Sequence, residues 1–208
     1  MYIPKAFEQQ DFDEMHSLIR QNPFATLVTN TDAGLVANHL PFLLREDGSE
    51  YGILVGHLAR ANPIWQDYKP EQSVLIIFQG VNAYISPSWY PSKQENGKAV
   101  PTWNYAVVHA SGLMQINEDG IWLRELLDEL TNTHEAQFEK PWAVADAPAD
   151  YIEKLSGAIV GIEIPVSTLI GKWKLSQNQP EQNRRGVVDG LQESSHLNAR
   201  EMANLVDR

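Results

Sequence analysis

The chain is predicted to be mainly β, an antiparallel barrel with helices at its periphery and C-terminal end. Two observations predict this class. Six or seven runs rich in branched and aromatic residues are separated by turn residues at hairpin spacing. The helical patterns gather mainly toward the ends of the chain instead of alternating with the strands, which argues against a parallel α/β sheet.

Each element has its own signal. Phe12, Met15, Leu18 and Ile19 recur at helical spacing behind a capping Asp11, and Asn22 with Pro23 ends that helix. Phe24 to Thr29 and Leu35 to Leu44 form a hairpin around Asn30 to Gly34, and Pro41 inside the second strand implies an edge or a bulge. After a turn at Asp47 and Gly48, Tyr51 to Leu58 returns as a third strand. Asn62 and Pro63 then open a short helix carrying Ile64, Trp65 and Tyr68.

Ser73 to Phe78 is a strand, and Tyr105 to Ile116 is another. The segment between them, from Asn82, reads as a long polar connection holding two Trp and two Tyr. A connection of that length is functional or disordered, and its aromatics beside hydroxyl and amide groups suit a flat heteroaromatic ligand, or else a loop that caps its own barrel. Farther on, Ile121 to His134 is an amphipathic helix, Ala149 to Leu155 a helix and Ala158 to Pro165 a strand. Gly171 to Asn178 is a short extended segment placing Lys172, Lys174 and Ser176 on one face by period two. Pro180 to Leu191 and Ser195 to Val206 close the chain as helices, the last capped by Asn198 or a neighbouring serine.

A length of 208 residues supports a single domain over residues 1–208, with 180–208 as a C-terminal helical extension. Zero cysteines exclude disulfides and thiolate metal sites, and no apolar run reaches the length of a membrane span, so a cytoplasmic protein is expected. The formal net charge of −11 makes direct nucleic-acid binding a poor default, because such affinity comes mostly from cationic contacts to phosphate. No glycine-rich phosphate loop, nucleophile elbow, zincin helix or kinase signature is present. His39, His57 and His109 lie in or beside strands. Each is a structural imidazole or, should they converge, a ligand of a metal or haem. Arg60, beside a helix start, is either a surface arginine or a phosphate ligand.

Five ordered segments, VANHLPFLL, GHLARANP, AYISPSWYPSK, VPTWNYAVVHASG and GKWKLSQNQ, resemble the PaiB family of FMN-binding negative transcriptional regulators. The likeness covers nearly the whole chain. It implies an FMN-binding split β-barrel related to the pyridoxamine-phosphate oxidases, working as a homodimer with flavin at the subunit interface. It further implies that Asn38, His39, Leu40 and Pro41 line the isoalloxazine, and that His57, Arg60 and Asn62 meet the ribityl and phosphate end. Asn104, with Thr102 and Tyr105, would reach the ring's polar edge from the same or the partner subunit, and Lys174, Ser176 and Gln177 would close the site. Where the wider oxidase superfamily has Arg followed by Lys, this chain has Arg60 followed by Ala61, so phosphate binding is weaker or is shared with Lys172 or Lys174.

Three functions follow from the resemblance and the residues. They are a flavin-binding regulator acting indirectly, a flavin-dependent oxidoreductase for a small molecule, and a haem-binding or haem-degrading split barrel.

Overall fold

The computed structural model describes residues 1–207, with the side chains of Gln94 and Asn96 outside the description. A short strand β1 (Glu8–Gln9) leads into helix α1 (Phe12–Gln21). The Asp11 carboxylate accepts from the backbone N–H groups of Asp13 and Glu14, so the cap read in the sequence is formed.

Strands β2 (Phe24–Thr31) and β3 (Gly34–Pro41) pair antiparallel in a register that sets Phe24 opposite Pro41 and Thr31 opposite Gly34. Pro41 ends β3. After Phe42 the chain resumes as β4 (Leu43–Arg45), which pairs with β5 (Ile53–Ala59) instead of β2. The expected strand over Leu35 to Leu44 is therefore two strands around a corner, as the missing proline N–H dictates. Next come α2 (Ile64–Asp67), β6 (Val74–Ile85), α3 (Ser92–Asn96), β7 (Thr102–Gly112), β8 (Gln115–Asn117) and α4 (Gly120–Glu135). Helix α5 (Ala149–Ser156), β9 (Ile159–Lys174), α6 (Glu181–Glu193) and α7 (Ala199–Val206) complete the order.

Several expected boundaries shift. Strand β6 runs through Gly80, because that glycine serves a close approach: a Cβ there would lie 3.1 Å from Leu18 Cδ1 and 3.3 Å from the Ala106 carbonyl. The long connection shortens to residues 86–101. It contains one helical turn over Pro87–Trp89, capped by Ser86, and then α3. Thr102 and Asn104 consequently stand on a strand. The strand expected at 158–165 and the first part of the extended segment expected at 171–178 belong to one 16-residue strand, β9, which continues through Val166, Ser167, Thr168 and Leu169 and ends at Lys174. At α7, Asn198 occupies the cap position, yet its side chain makes no cap bond.

Packing divides the residues into two compact units. One comprises Met1–Asn22, Phe78–His109 and the chain from Ile170 onward; the other comprises Pro23–Ile77 and Ala110–Leu169. The second unit contains stretches of eight of the strands, in the order β3-β2-β6-β7-β9-β5-β4, with β8 also on β9. The two ends of that order, β3 and β4, are joined through Phe42. A sheet whose edges are consecutive in the chain is curled on itself, and the fold is an antiparallel split β-barrel with helices. Its α4 buries Leu126 and Leu130 on Leu43 and Val55.

In the first unit, α6 and α7 pack through Val187, Leu191, Met202 and Val206 against Ile85 and Tyr90. Two glycines on α6 admit Trp89: a Cβ at Gly190 would fall 2.4 Å from its ring, and one at Gly186 would fall 2.0 Å from its carbonyl oxygen. Larger residues there would be excluded by the indole.

Candidate functional site

In the second unit, β3 presents Asn38 and the start of α2 presents Asn62. The Asn62 amide donates to Asn38 Oδ1 at 2.7 Å, and Asn62 Oδ1 accepts the Ile64 N–H at 3.1 Å. Asn62 is thus fixed from both ends. Asn38 Nδ2 is buried with no hydrogen-bond partner among the described residues, and so is His57 Nδ1 on β5. Burial pushes the His57 imidazole below its ordinary pKa, which keeps it neutral near pH 7. Buried polar groups are normally satisfied, so each of these atoms could take a ligand's polar atom, as could the unpartnered His16 Nε2, Thr29 Oγ1, His134 Nε2 and Arg184 Nε elsewhere.

His39 is exposed, with Nδ1 3.1 Å from Thr26 Oγ1 and its ring centroid 6.3 Å from that of Phe24. Leu40 is buried and Pro41 half-buried at the corner. Arg60 is engaged within its own unit. Its Nε donates to the Gly157 carbonyl at 3.0 Å, Nη1 to Glu118 at 2.5 Å and Nη2 to the Ile159 carbonyl at 3.1 Å. The guanidinium also lies 5.7 Å from the Trp65 ring centroid. The cation expected to meet a phosphate is therefore stitched to its neighbours.

In the first unit, four of the residues singled out in the sequence line one cavity of about 500 Å³: Thr102 and Asn104 from β7, Lys174 from the end of β9, and Ser176 just beyond it. Asn104 is only 1% exposed, and its amide donates to Ser176 Oγ at 2.9 Å. The Lys174 ammonium donates to Thr102 Oγ1 and, at 2.6 Å, to the Trp103 carbonyl. Burial, and then the charge of Lys172, lower its pKa. Period two does not bring Ser176 here, because β9 stops at Lys174. A turn with Ser176 at φ 60°, left-handed for a non-glycine residue, aims its hydroxyl at Asn104.

Tyr105 and Gln177 do other work. Tyr105 turns its ring toward Lys172, 5.3 Å from ammonium to centroid. Gln177 clamps the turn, accepting from the Leu175 N–H at 2.6 Å and donating to the Trp173 carbonyl at 2.6 Å.

Sequence reading missed Asn183 and had Tyr90 only among the aromatics of the long connection; both also line the cavity. Asn183 Oδ1 accepts the Ser92 N–H at 3.3 Å and its amide donates to Gln179 at 3.2 Å. A signal existed: Asn183 stands four residues before Val187 and eight before Leu191, on the buried stripe of α6. Burial raises the Tyr90 phenol, with the Ser176 hydrogen bond pulling the other way. Of the three strand histidines, His39 and His57 belong to the second unit and His109 to the first. No group of three or more His, Asp or Glu among the described residues could hold a metal ion.

Comparison with known proteins gives these residues a family. The family model described as "Putative FMN-binding domain" matches residues 1–168. The protease synthase and sporulation protein PAI 2 of Bacillus subtilis is 36% identical over 210 residues, covering 100% of this chain and 97% of its own. An uncharacterized protein of Emericella nidulans is 32% identical over 241 residues, covering 99% and 96%. Among solved structures, a conserved hypothetical protein from Mycobacterium tuberculosis superimposes with TM-score 0.60 at 10% identity, covering 87% of this chain and 95% of that one. The flavocytochrome Anf3 from Azotobacter vinelandii gives TM-score 0.58 at 12% identity, covering 83% and 72%. Those two likenesses establish the fold. The sequence matches establish the kinship: the chain belongs to the PaiB family of FMN-binding split-barrel proteins.

Proposed function

We propose that the protein binds FMN and acts on gene expression indirectly, through the flavin or a partner, without reading DNA itself. The observation that carries the reading is the polar cavity of the first unit, where a cation, two hydroxyls and a buried amide come together in a space of about 500 Å³. That volume falls within the ordinary range for small-molecule sites.

The residues fit the cofactor chemically. In the second unit, Asn38 Nδ2 is an unused donor and the neutral His57 has a ring nitrogen free to meet a ligand's carbonyl or N–H. Thr102, Asn104, Lys174 and Ser176 suit the hydroxyls and charge of a ribityl phosphate. Of the apolar pair at the corner, Leu40 is buried in the core and only Pro41 is partly accessible. When bound, flavin supplies hydride and single-electron transfer; the protein's part is to hold, orient and shield it.

The indirect mode of regulation draws support from the net charge of −11 and from the arginine pair of α6. Arg184 donates to the Val206 carbonyl at 2.9 Å and Arg185 is paired with Glu181. Titration of the purified protein with FMN and riboflavin, followed by flavin fluorescence, tests the cofactor. Saturable binding is the expected result, and none for either flavin overturns the reading. Loss of flavin absorbance on anaerobic addition of a reduced nicotinamide nucleotide would make the protein an oxidoreductase as well.

A further inference from the structure

Lys172 and Lys174 stand two residues apart on β9, and among the described residues neither meets a carboxylate. Lys172 is only 8% exposed. Its ammonium donates to the Tyr2 carbonyl at 3.1 Å and lies 5.9 Å and 5.3 Å from the ring centroids of Tyr2 and Tyr105. Lys174 is likewise held by neutral acceptors, the Thr102 hydroxyl and the Trp103 carbonyl.

Two positive charges at this spacing without an anion are an unusual arrangement, because buried charges are normally paired and like charges disfavour each other's ionised form. The lowered pKa of Lys174 reports that tension. An anion on the cavity side of Lys174 would relieve it. Hydroxyl and amide groups line the same cavity: Thr102, whose oxygen accepts from Lys174 and whose O–H is left to donate, and the Asn104–Ser176 pair, hydrogen-bonded to each other. Of the charged groups on the same cavity wall, Glu95 and Lys98 are both exposed and opposite in sign. Arg60, the other cation offered by the sequence, is engaged with Glu118 and two backbone carbonyls.

We propose that the Lys174 end of this cavity is the site for a phosphate monoester, with Lys174 as the direct ligand and Lys172 as the second positive charge behind it. The identity of the monoester as FMN rests on the reading above. Lys174 then acts as a point charge and rotatable donor, with Thr102 and Ser176 completing the phosphate's oxygen contacts.

The test compares FMN with riboflavin, which lacks the phosphate, by fluorescence quenching on wild type, Lys174→Met and Lys174→Arg. Lys174→Met should lose about ten-fold or more in affinity for FMN, the weight of one charge-assisted contact, while riboflavin binding holds and Lys174→Arg recovers most of the loss. Equal losses for both flavins, or no loss for FMN, overturn the phosphate site and leave the flavin reading standing. If wild type binds neither flavin, the cofactor reading falls, and phosphorus NMR titration with inorganic phosphate decides the site. Line broadening present in wild type and absent in Lys174→Met supports the site; no broadening in wild type, or the same broadening in both, overturns it.

Discussion

The buried amide of Asn104 donates to the Ser176 hydroxyl at 2.9 Å across 72 residues of sequence, and Ser176 makes that contact from a backbone with φ 60°. No other non-glycine residue with positive φ occurs in the described chain. Strained residues persist where surroundings over-determine them, and functional sites are where they gather.

Ser176→Ala keeps the strain and orphans the Asn104 amide, so it is expected to cost about 1–3 kcal/mol. Ser176→Gly loses the same bond but relieves the left-handed backbone, worth roughly 1–2 kcal/mol before glycine's freedom in the unfolded chain is set against it. Glycine should therefore be the milder change in urea denaturation. The reverse order would show that the backbone there is not strained.

The same turn shows how far sequence reasoning reaches. Period-two alternation brought Lys172, Lys174 and Ser176 together on paper, and Lys174 and Ser176 do share a cavity, but a left-handed turn brings Ser176 there. Local signals carried the first helix with its cap and the hairpins, because Asp11 and the glycine-containing turns act within a few residues of themselves. What could not be read was long-range. Gly80 inside β6 and the unbroken β9 depend on what packs against them, and Arg60 looks like a free cation until Glu118, Gly157 and Ile159 are in place around it.

Arg60 gives the next expectation. Its ion pair with Glu118 has side chains 36% and 52% exposed, so solvent screens it and Glu118→Gln should cost less than about 1 kcal/mol. Arg60→Met also strips donors from two backbone carbonyls and should cost more, about 1–2 kcal/mol. Thermal denaturation in low and high salt separates the two. Flavin titrations add a second readout: Arg60→Met is expected to alter FMN and riboflavin binding alike, whereas a loss confined to FMN would mean that the guanidinium leaves Glu118 for the phosphate.

Association in solution is expected from the β2–β3 hairpin. Leu35 is 78% exposed, Phe24 68% and Val36 37%, on a pair whose outer strand β3 ends the strand order. Exposed apolar side chains along a sheet edge invite a second chain, and a homodimer is the expected state. Light scattering at micromolar concentration should give twice the mass of the 23.4 kDa chain. Leu35→Lys should shift it toward monomer without loss of secondary structure. A monomeric wild type would remove the dimer.

Acid sensitivity follows from His57. Burial lowers its folded pKa below the ordinary 6.5, so above that value both folded and unfolded chains hold a neutral imidazole and the residue contributes no pH dependence. As pH falls from 6.5 toward the folded pKa, the unfolded chain takes up the proton first and stability drops. Melting temperatures between pH 8 and 5 should decline below pH 6.5, and His57→Gln should flatten that part of the curve. An unchanged profile in the variant would assign the loss to another group.

The last expectation sets charge against the regulatory role associated with the family. At a net charge of −11 the chain lacks the cationic surface that supplies most DNA affinity, and the arginine pair of α6 is already used. Arg184 ties α6 to the carbonyl of Val206 on α7, and Arg185 pairs with Glu181 one turn earlier. Helix α7 buries Met202, Ala203 and Val206, leaving Arg200, Glu201 and Asn204 exposed, so its free face carries as much negative as positive charge. Such a face neutralises too few phosphates for tight binding at physiological salt. Anisotropy titrations against the protein's own upstream region, with and without FMN, should show no submicromolar complex. Binding that tightens at low salt and disappears when Arg184 and Arg185 are both changed to Ala would instead make the protein a direct repressor.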